Sequence, residues 1–312
     1  MGDCPMTGGI NRRDFIRLSL RAAVGAFAVG GFSRPFCNGP GVGMRSSDGG
    51  RGVQRMGKES HVTFVPRNLY NRETVIIAHR GANKFAPENT LPAYLKAIEM
   101  KLDYMEVDAR ITKDGRLVSM HDSRVDRTTN GRGLVRELTA EEIRRLDAGS
   151  WFGPEFAGVK VPFVEEIFEA AAGKIGIYLD LKDAPMKMIV DLIVKYGLER
   201  DTVMYASIDE LKEMLKLCPD ITPMPEGHDE NRVDLVLEAL EPGLVAFTWD
   251  GFSRKCLEKC RAAGAKIFLD IIGGGDNPDG MNLMIDWGVD GLQTDHPDVL
   301  LDVLERRKKE RR

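Results

Sequence analysis

The chain has 312 residues, which suits one α/β barrel of roughly 250 residues with an additional tail. Hydrophobic residues make up 43% and charged residues 29%, which excludes an intrinsically disordered protein and a polytopic membrane protein. The formal net charge is −4 and basic blocks occur only at the two chain ends, so the charge pattern gives no support to nucleic-acid binding.

Residues 1–37 differ in composition from the rest of the chain. Residues 11–17 are basic and contain two adjacent arginines, and residues 22–32 form an uncharged stretch of small and apolar side chains. This stretch is shorter than the roughly 20 residues that a membrane-spanning helix needs, so we predict no stable membrane span. The segment resembles a twin-arginine export signal, which implies export to the periplasm or the cell exterior. The glycine-rich residues 38–72 are predicted to form a flexible linker.

Short β-branched runs alternate with amphipathic helical patterns from residue 73 onward. This alternation predicts a parallel sheet covered by helices. The turn at residues 112–115 predicts a hairpin between the second and third strands, and residues 123–161 are predicted to be an insertion after the third strand. Nine strands are predicted, at residues 75–79, 104–109, 117–121, 175–181, 202–206, 221–225, 244–249, 266–271 and 291–294. Helices are predicted at residues 91–100, 139–146, 188–196, 208–217, 233–240 and 254–263.

The order of these elements favours a closed barrel over an open sheet. A doubly wound open sheet normally carries a glycine-rich phosphate loop after its first strand, whereas here that strand continues into His79-Arg80-Gly81. We therefore predict a TIM (β/α)8-type barrel over residues 73–306, irregular near its third strand because of the hairpin and the insertion. Residues 307–312 form a charged tail, which is typical of a solvated helix end.

Three cysteines lie outside the leader, at Cys218, Cys256 and Cys260. An odd number argues against a disulfide framework. Cys256 and Cys260 are one turn apart on a predicted helix, where cysteines are most often small buried apolar residues. We assign them no metal or redox role.

Ionisable side chains occur where the first four predicted strands end. In a (β/α)8 barrel the reactive groups lie at the C-terminal ends of the strands, and alternate residues of a strand face the same side. Charge within an apolar strand is costly unless it is paired or binds an ion. These residues are His79 and Arg80 after the first strand, Glu106 and Asp108 in the second, His121 after the third, and Asp180 and Lys182 in the fourth.

The residue types in this set are those that phosphodiester cleavage needs. The carboxylates of Glu106, Asp108 and Asp180 are hard oxygen ligands, which suit Mg²⁺ or Ca²⁺ better than Zn²⁺. The nearby cations suit the oxygens of a phosphoryl group, and the two imidazoles can carry protons. Each residue alone is more often a structural ion pair or a core group, whereas the ordered set predicts a metal-dependent phosphodiesterase.

Five short motifs lie at and between these positions. They are Ala78-His79-Arg80-Gly81, Ala86-Pro87-Glu88-Asn89-Thr90, Glu106-Val107-Asp108, Thr112-Lys113-Asp114-Gly115 and His121-Asp122. Their order and spacing closely resemble those of the glycerophosphodiester phosphodiesterase family, and the resemblance covers roughly residues 74–300, essentially the whole predicted barrel. It implies that His79 and His121 are the catalytic acid/base pair, and that Arg80 and Lys182 bind the substrate phosphate. It also implies that Glu106 and Asp108 bind the metal ion.

Two positions depart from the family pattern. The family's third metal ligand is usually the glutamate of a Glu-x-Lys pattern, whereas this chain has Asp180 two residues before Lys182. That arrangement resembles sphingomyelinase D type phospholipases and leaves the ion and the product open. In the eighth strand, Asp270 lies within a run that replaces the family's Trp-Thr-Val-Asn. Glu88, Trp249 and Asp270 are therefore candidate substrate-pocket residues.

The predicted activity is metal-dependent hydrolysis of glycerophosphodiesters to glycerol 3-phosphate and an alcohol, with Mg²⁺ or Ca²⁺ as the cofactor. Three alternatives remain: a phospholipase D type reaction on a lysophospholipid or sphingomyelin that gives a cyclic phosphate, a related phosphodiester substrate, and a non-catalytic barrel that binds a phosphate ligand. The predicted partner is a small-molecule phosphodiester, not nucleic acid, and the sequence leaves the oligomeric state open.

Overall fold

Eight parallel strands form the centre of the fold in a computed structural model that describes residues 70–312. The export signal predicted in residues 1–37, and the linker up to residue 69, lie outside the described residues. All nine predicted strands are present, with boundaries within a few residues of those expected. They are β1 (Val75–Ala78), β2 (Tyr104–Ile111), β3 (Leu117–Ser119), β4 (Gly176–Leu181), β5 (Thr202–Tyr205), β6 (Thr222–Met224), β7 (Leu244–Thr248), β8 (Lys266–Asp270) and β9 (Gly291–Thr294).

The sheet follows the order β6, β5, β4, β2, β1, β9, β8 and β7, and each neighbouring pair is parallel. The first and last strands are therefore neighbours, with Ile77 opposite Gln293. Between β6 and β7 a single bridge joins Glu226 to Ala246, and the Ala246 amide donates to the carbonyl of Pro225 at 2.9 Å. These contacts nearly close the ring, and the predicted (β/α)8-type barrel is confirmed.

The irregularity expected at the third strand is also present. Strand β3 pairs antiparallel with β2, with Arg110 opposite Val118, and lies outside the ring of eight. The Thr112 amide donates to the carbonyl of Arg116 at 2.9 Å and closes the turn of this hairpin. The segment that follows packs around its own apolar cluster, which includes Val125 and Ile143. It contains two short 3-10 helices, at Val135–Glu137 and Pro154–Phe156.

Within residues 70–312, nine α-helices surround the sheet. They are α1 (Leu91–Glu99), α2 (Ala140–Arg145), α3 (Val164–Ala171), α4 (Met186–Tyr196), α5 (Ile208–Leu217), α6 (Arg232–Leu240), α7 (Arg254–Ala262), α8 (Pro278–Trp287) and α9 (Pro297–Glu310). The sequence prediction missed α3, α8 and the start of α9. Helix α8 begins with turn-forming residues, but the side chain of Asn277 accepts hydrogen bonds from the amides of Asp279 and Gly280 and caps it.

Apolar side chains fill the lower part of the barrel below the strand ends. Alternate residues along each strand face inward, because successive side chains of a strand point to opposite sides of the sheet. The inward cluster consists of Val75, Ile77, Tyr104, Tyr178, Val203, Met224, Leu244, Ala246 and Phe268. The opposite faces of the strands pack against the helices in a second and larger cluster.

The last helix, α9, runs to Glu310, so most of the tail expected from residue 307 belongs to this helix. Arg307 contacts Glu73 at 3.2 Å and Asp286 at 2.7 Å, which ties the helix to the segment before β1. In the part of the chain that the structure covers, no helix combines the length and the apolar character needed to span a membrane.

Candidate active site

Three carboxylates meet above the apolar floor of the barrel. Glu106 and Asp108 are alternate residues of β2, and Asp180 of β4 stands directly opposite Asp108 in the sheet register. One carboxylate oxygen of each lies within 4.8 Å of the others. The sequence therefore placed these three residues together correctly, and the strand period explains why they converge.

The three carboxylates fit a divalent cation. Asp108 is fully buried, and its Oδ1 atom makes no hydrogen bond within the described residues, although the Nζ atom of Lys182 lies 3.2 Å away. Burial raises the pKa of Glu106 to about 8. Burial and the charge of Asp108 raise the pKa of Asp180. Buried like charges of this kind are costly without a cation, and hard oxygen donors suit Mg²⁺ or Ca²⁺.

A buried amide network fixes Asp108. The Nδ2 atom of Asn89 donates to Asp108 Oδ2 at 2.7 Å, and Asn89 Oδ1 accepts hydrogen bonds from Tyr94 at 2.7 Å and Ser119 at 3.0 Å. Asn89 and Thr90 directly precede α1, where polar side chains commonly cap a helix. Neither side chain caps α1, because the Thr90 hydroxyl donates to the carbonyl of Pro87 and Asn89 donates to Asp108.

His79 lies between two carboxylates. Its Nδ1 donates to Oδ1 of Asp295 at 2.6 Å, and its Nε2 lies 3.7 Å from Oε2 of Glu106. A carboxylate can only accept, so the Asp295 contact assigns the proton to Nδ1. Burial lowers the pKa of His79, but the charge of Glu106 and the hydrogen bond to Asp295 outweigh it, so the pKa lies above its usual value.

His121 has a carboxylate partner on the adjacent residue. Its Nδ1 lies 2.9 Å from Oδ1 of Asp122. The Nε atom of Arg127 donates to Asp122 Oδ2 at 2.8 Å, and its Nη2 atom donates to Asp122 Oδ1 at 3.0 Å. Arg110 also donates two hydrogen bonds to the backbone carbonyl of His121. Both the ring and the backbone of His121 are therefore held in place.

Two cations lie next to the carboxylates. Lys182 donates to Asp180 at 2.6 Å. Burial lowers the pKa of Lys182, but Asp108 and Asp180 outweigh it, so the pKa is raised and the side chain stays charged. Arg80 donates its backbone amide to Glu106 at 2.9 Å, and its Nε is buried without a hydrogen-bond partner in the described chain. A free guanidinium donor at this position suits a phosphate oxygen.

The backbone at Arg80 is held in an uncommon conformation. Arg80 has a φ of 52°, and the following Gly81 has a φ of 80°. A Cβ atom at Gly81 would lie 2.9 Å from the backbone and the side chain of Ala93 in α1, so only glycine fits there. The turn directs the Arg80 amide toward Glu106.

The candidate substrate-pocket residues have different surroundings. Both carboxylate oxygens of Glu88 are bound by arginines, to Arg80 Nη1 at 2.9 Å and to Arg127 at 2.7 and 2.8 Å. Trp249 packs against a loop backbone, where a Cβ atom on Gly275 would lie 2.2 Å from its ring. Asp270 ends β8 and accepts a hydrogen bond from the Ile272 amide at 2.8 Å, and burial raises its pKa.

Polar groups that the sequence analysis missed lie beside Asp270. Gln293 of β9 stands opposite Asp270 in the register, is only 3% exposed, and its Nε2 has no partner among the described residues. Tyr205 of β5 is hydrogen-bonded to Glu226. Tyr205 ends β5 and Glu226 follows β6 by two residues. The strand-end rule, by which reactive side chains lie at the C-terminal ends of barrel strands, found Glu106 and also predicts these two residues.

Three other residues around the site were not assigned a role from the sequence. Asn89 was noted only within a motif, and Arg127 only as part of an insertion. Asp295 follows β9 directly, so its position at a strand end was a signal that could have identified it. Arg127 carried no such signal, because its contacts depend on how residues 123–161 fold back over the barrel.

Comparisons with known proteins agree with this geometry. A sequence profile of the Glycerophosphoryl diester phosphodiesterase family matches residues 79–299. A glycerophosphodiester phosphodiesterase of Caldanaerobacter subterraneus is 33% identical over 254 residues, which cover 75% of this chain and 99% of the relative. The putative glycerophosphodiester phosphodiesterase YhdW of Bacillus subtilis is 32% identical and covers 72% of this chain and 96% of its own length.

Solved structures show the same similarity. A glycerophosphodiester phosphodiesterase from Agrobacterium tumefaciens is 32% identical, superposes with a TM-score of 0.66, and covers 73% of this chain and 99% of its own. A phosphodiesterase from Oleispira antarctica, solved in complex with the product sn-glycerol-3-phosphate, is 25% identical with a TM-score of 0.69. That match covers 74% of this chain and 96% of the other.

Proposed function

The chain belongs to the glycerophosphoryl diester phosphodiesterase family, and we propose that it hydrolyses glycerophosphodiesters to glycerol 3-phosphate and an alcohol with the help of a divalent cation. The observation that carries the proposal is the approach of Glu106, Asp108 and Asp180 to within 4.8 Å of one another, beside His79. A relative with 25% identity binds sn-glycerol-3-phosphate as its product, which supports the same substrate class.

The proposed metal ligands are Glu106, Asp108 and Asp180, and the proposed ion is Mg²⁺ or Ca²⁺. When bound, such an ion polarises the phosphoryl oxygens and offsets the charge that builds up on them. Arg80 and Lys182 bind the remaining phosphate oxygens, because both are cations in contact with the carboxylate cluster. The Nε of Arg80 supplies a donor that no described residue uses.

His79 and His121 are the proposed acid/base pair. One imidazole accepts a proton from water as its oxygen attacks phosphorus, and the other donates a proton to the alkoxide as the bond between phosphorus and the alcohol oxygen breaks. In each ring Nδ1 contacts an aspartate, Asp295 or Asp122, so Nε2 is the nitrogen that exchanges the proton with the substrate.

The experiment that tests this function follows the products by ³¹P NMR. The full-length protein is incubated with glycerophosphocholine, glycerophosphoethanolamine or lysophosphatidylcholine, with Mg²⁺, with Ca²⁺ or with EDTA. Release of glycerol 3-phosphate that requires the metal and is lost in His79→Ala supports the proposal. A cyclic phosphate instead of glycerol 3-phosphate indicates the phospholipase D type reaction. That reaction is favoured by the aspartate at position 180, where the family usually has glutamate.

Absence of turnover with every metal and substrate would contradict the proposed hydrolysis. In that case, binding of glycerol 3-phosphate without turnover would identify a non-catalytic phosphate-binding barrel. Turnover of another phosphodiester would identify a related substrate. His228→Ala is a suitable control for the histidine variants, because the side chain of His228 is exposed and its Nδ1 lies 3.8 Å from Glu226.

Export through a twin-arginine-type signal in residues 1–37 is also part of the proposal. It is supported by the adjacent arginines and the uncharged stretch that follows. Replacing Arg12 and Arg13 by lysine is expected to retain the protein inside the cell, as measured by fractionation. Unchanged export would contradict this part alone and leave the phosphodiesterase proposal intact.

A further inference from the structure

Arg127 binds two carboxylates at the same time. Its guanidinium donates to Glu88 at 2.7 and 2.8 Å and to Asp122 at 2.8 and 3.0 Å. Each of these carboxylates holds a second residue of the site: Glu88 accepts from Arg80 at 2.9 Å, and Asp122 contacts the Nδ1 of His121 at 2.9 Å. One side chain thus connects the proposed phosphate-binding arginine with a proposed proton carrier.

We propose that Arg127 is a positioning residue that fixes His121 and Arg80 relative to each other through Asp122 and Glu88. The inference rests on the proposed function, because it gives His121 and Arg80 the roles described there. It goes beyond that function in assigning a role to the insertion after β3, from which Arg127 projects.

The backbone around Arg127 is anchored, so the point from which the side chain extends is fixed. Val125 is fully buried and Thr128 is 6% exposed, and these residues lie on either side of Arg127. The hydroxyl of Thr129 donates to the carbonyl of Val125 at 2.7 Å, which closes the turn. Because this backbone is already ordered, little further conformational entropy is lost when the Arg127 side chain binds both carboxylates.

Stability is not the main result of these contacts. The side chain of Arg127 is 44% exposed, and ion pairs of exposed arginines contribute about 1 kcal/mol or less to folding. What distinguishes Arg127 is geometry, because a planar guanidinium can pair with two carboxylates at once through its five N–H groups. A lysine ammonium carries its three N–H donors on one nitrogen, so it cannot pair with two separate carboxylates in this planar arrangement.

Loss of Arg127 has two separate consequences for the site. Asp122 loses two donors, so it no longer has a fixed position from which to orient the ring of His121. Glu88 keeps Arg80 as its only partner among the contacts described, so the guanidinium of Arg80 is drawn toward Glu88 and away from phosphate. The first change is expected to lower kcat, and the second to raise KM.

The test compares Arg127→Met and Arg127→Lys with the unmodified full-length protein, using glycerophosphocholine hydrolysis. Arg124→Met is the matched control, since the side chain of Arg124 lies in the same loop, is 52% exposed and pairs with Asp126. We expect Arg127→Met to lower kcat and raise KM, with a combined loss in kcat/KM of about 10- to 100-fold. The Tm is expected to fall by no more than about 4 °C.

Two further comparisons separate positioning from a merely structural role. Arg127→Lys is expected to recover the Tm but only part of the activity. In an Asp122→Asn background, Arg127→Met is expected to reduce kcat by less than it does alone, because both changes act through the same contact. The inference is overturned if Arg127→Met retains kcat and KM within twofold, or if Arg127→Lys restores both in full.

A measurement without turnover separates this inference from the proposed function. ¹⁵N NMR of the histidine rings reports the tautomer of His121 whether or not the protein hydrolyses the substrate. We expect one fixed tautomer, protonated at Nδ1, in the unmodified protein and in Arg124→Met, and its loss in Arg127→Met. If the unmodified protein hydrolyses no glycerophosphodiester, the proposed function fails; identical spectra in all three proteins overturn the positioning role.

Discussion

Nδ1 of His79 lies 2.6 Å from Oδ1 of Asp295, so a residue after the first barrel strand is oriented by a residue after the last. Burial raises the pKa of Asp295, but the hydrogen bonds from His79 and Asn83 outweigh it, so the pKa lies below its usual value and the carboxylate stays charged. An ionised aspartate in contact with Nδ1 fixes the ring and its proton, as in other carboxylate–histidine pairs.

Asp295→Asn is expected to lower kcat by roughly 100-fold or more, since the imidazole loses both its orientation and the charge that raises its pKa. The fold should be little affected, because asparagine has the same shape. Steady-state kinetics and a thermal melt of the full-length protein test this. Full activity of Asp295→Asn, with an unchanged Tm, would show that His79 needs no carboxylate partner.

A divalent cation is expected to stabilise the protein. With cation at 100 times its Kd, the free energy of unfolding should rise by about 2.7 kcal/mol, and EDTA should reverse the change. Asp180→Asn removes one carboxylate of the cluster while keeping its volume, so the increase in Tm with added cation should be much smaller. NaCl at equal ionic strength is the control; an equal increase in Tm with NaCl would contradict a specific site.

The strand-end rule explains how much of this site could be predicted. Glu106, Asp108 and Asp180 are alternate residues on neighbouring strands, so their convergence follows from the strand period and the barrel order. The contacts of Arg127 and Asn89 could not be predicted in the same way. They come from loops whose course depends on side-chain packing, and Asn89 lies at a φ of 55° that the helix-start pattern does not indicate.

Asp270→Asn is expected to change the preference among glycerophosphodiesters that differ only in their alcohol. Asp270 and Gln293 lie opposite each other, and together they offer a hydroxyl group an acceptor and a donor. Losing a charged acceptor costs about 1.5 to 3 kcal/mol, which corresponds to a change in kcat/KM of roughly 10- to 100-fold for the substrates that use it. The measurement is kcat/KM across choline, ethanolamine, glycerol and inositol esters.

Three outcomes distinguish the role of Asp270. A loss that differs between alcohols places Asp270 against the leaving group, whereas an equal loss for all esters places it against the glycerol. No loss for any ester would remove Asp270 from the substrate pocket. Asp250→Asn serves as the control, because Asp250 is exposed on the loop after β7.

Glu73→Gln is expected to destabilise the protein at neutral pH and not in acid. Burial raises the pKa of Glu73, but the hydrogen bonds from Arg307 and Arg311 outweigh it, so its pKa is lower in the folded than in the unfolded chain. A lowered pKa contributes stability above the unfolded-state value, and this contribution is lost as pH falls through the folded-state value. The substitution should cost about 1 kcal/mol or less at pH 7.

Thermal melts of Glu73→Gln and the unmodified protein between pH 7 and pH 3 test this expectation. The difference in Tm should shrink below about pH 4, where glutamate becomes protonated. Glu305→Gln is a suitable control on α9, the helix that carries Arg307, since Glu305 is exposed. A difference in Tm that stays constant across the pH range would mean that the ion pairs do not cause the effect.

The pairing of β1 with β9 has a consequence for the order in which the enzyme is built. During synthesis, the ribosome releases His79 and the carboxylates of β2 and β4 long before Asp295 emerges, so the nascent chain holds most of the reactive groups without the partner of His79. If His79 needs Asp295, activity is expected only after the C-terminal strand has docked beside the first one. In a refolding experiment, the rate at which turnover recovers would then measure the rate at which the last strand closes the ring.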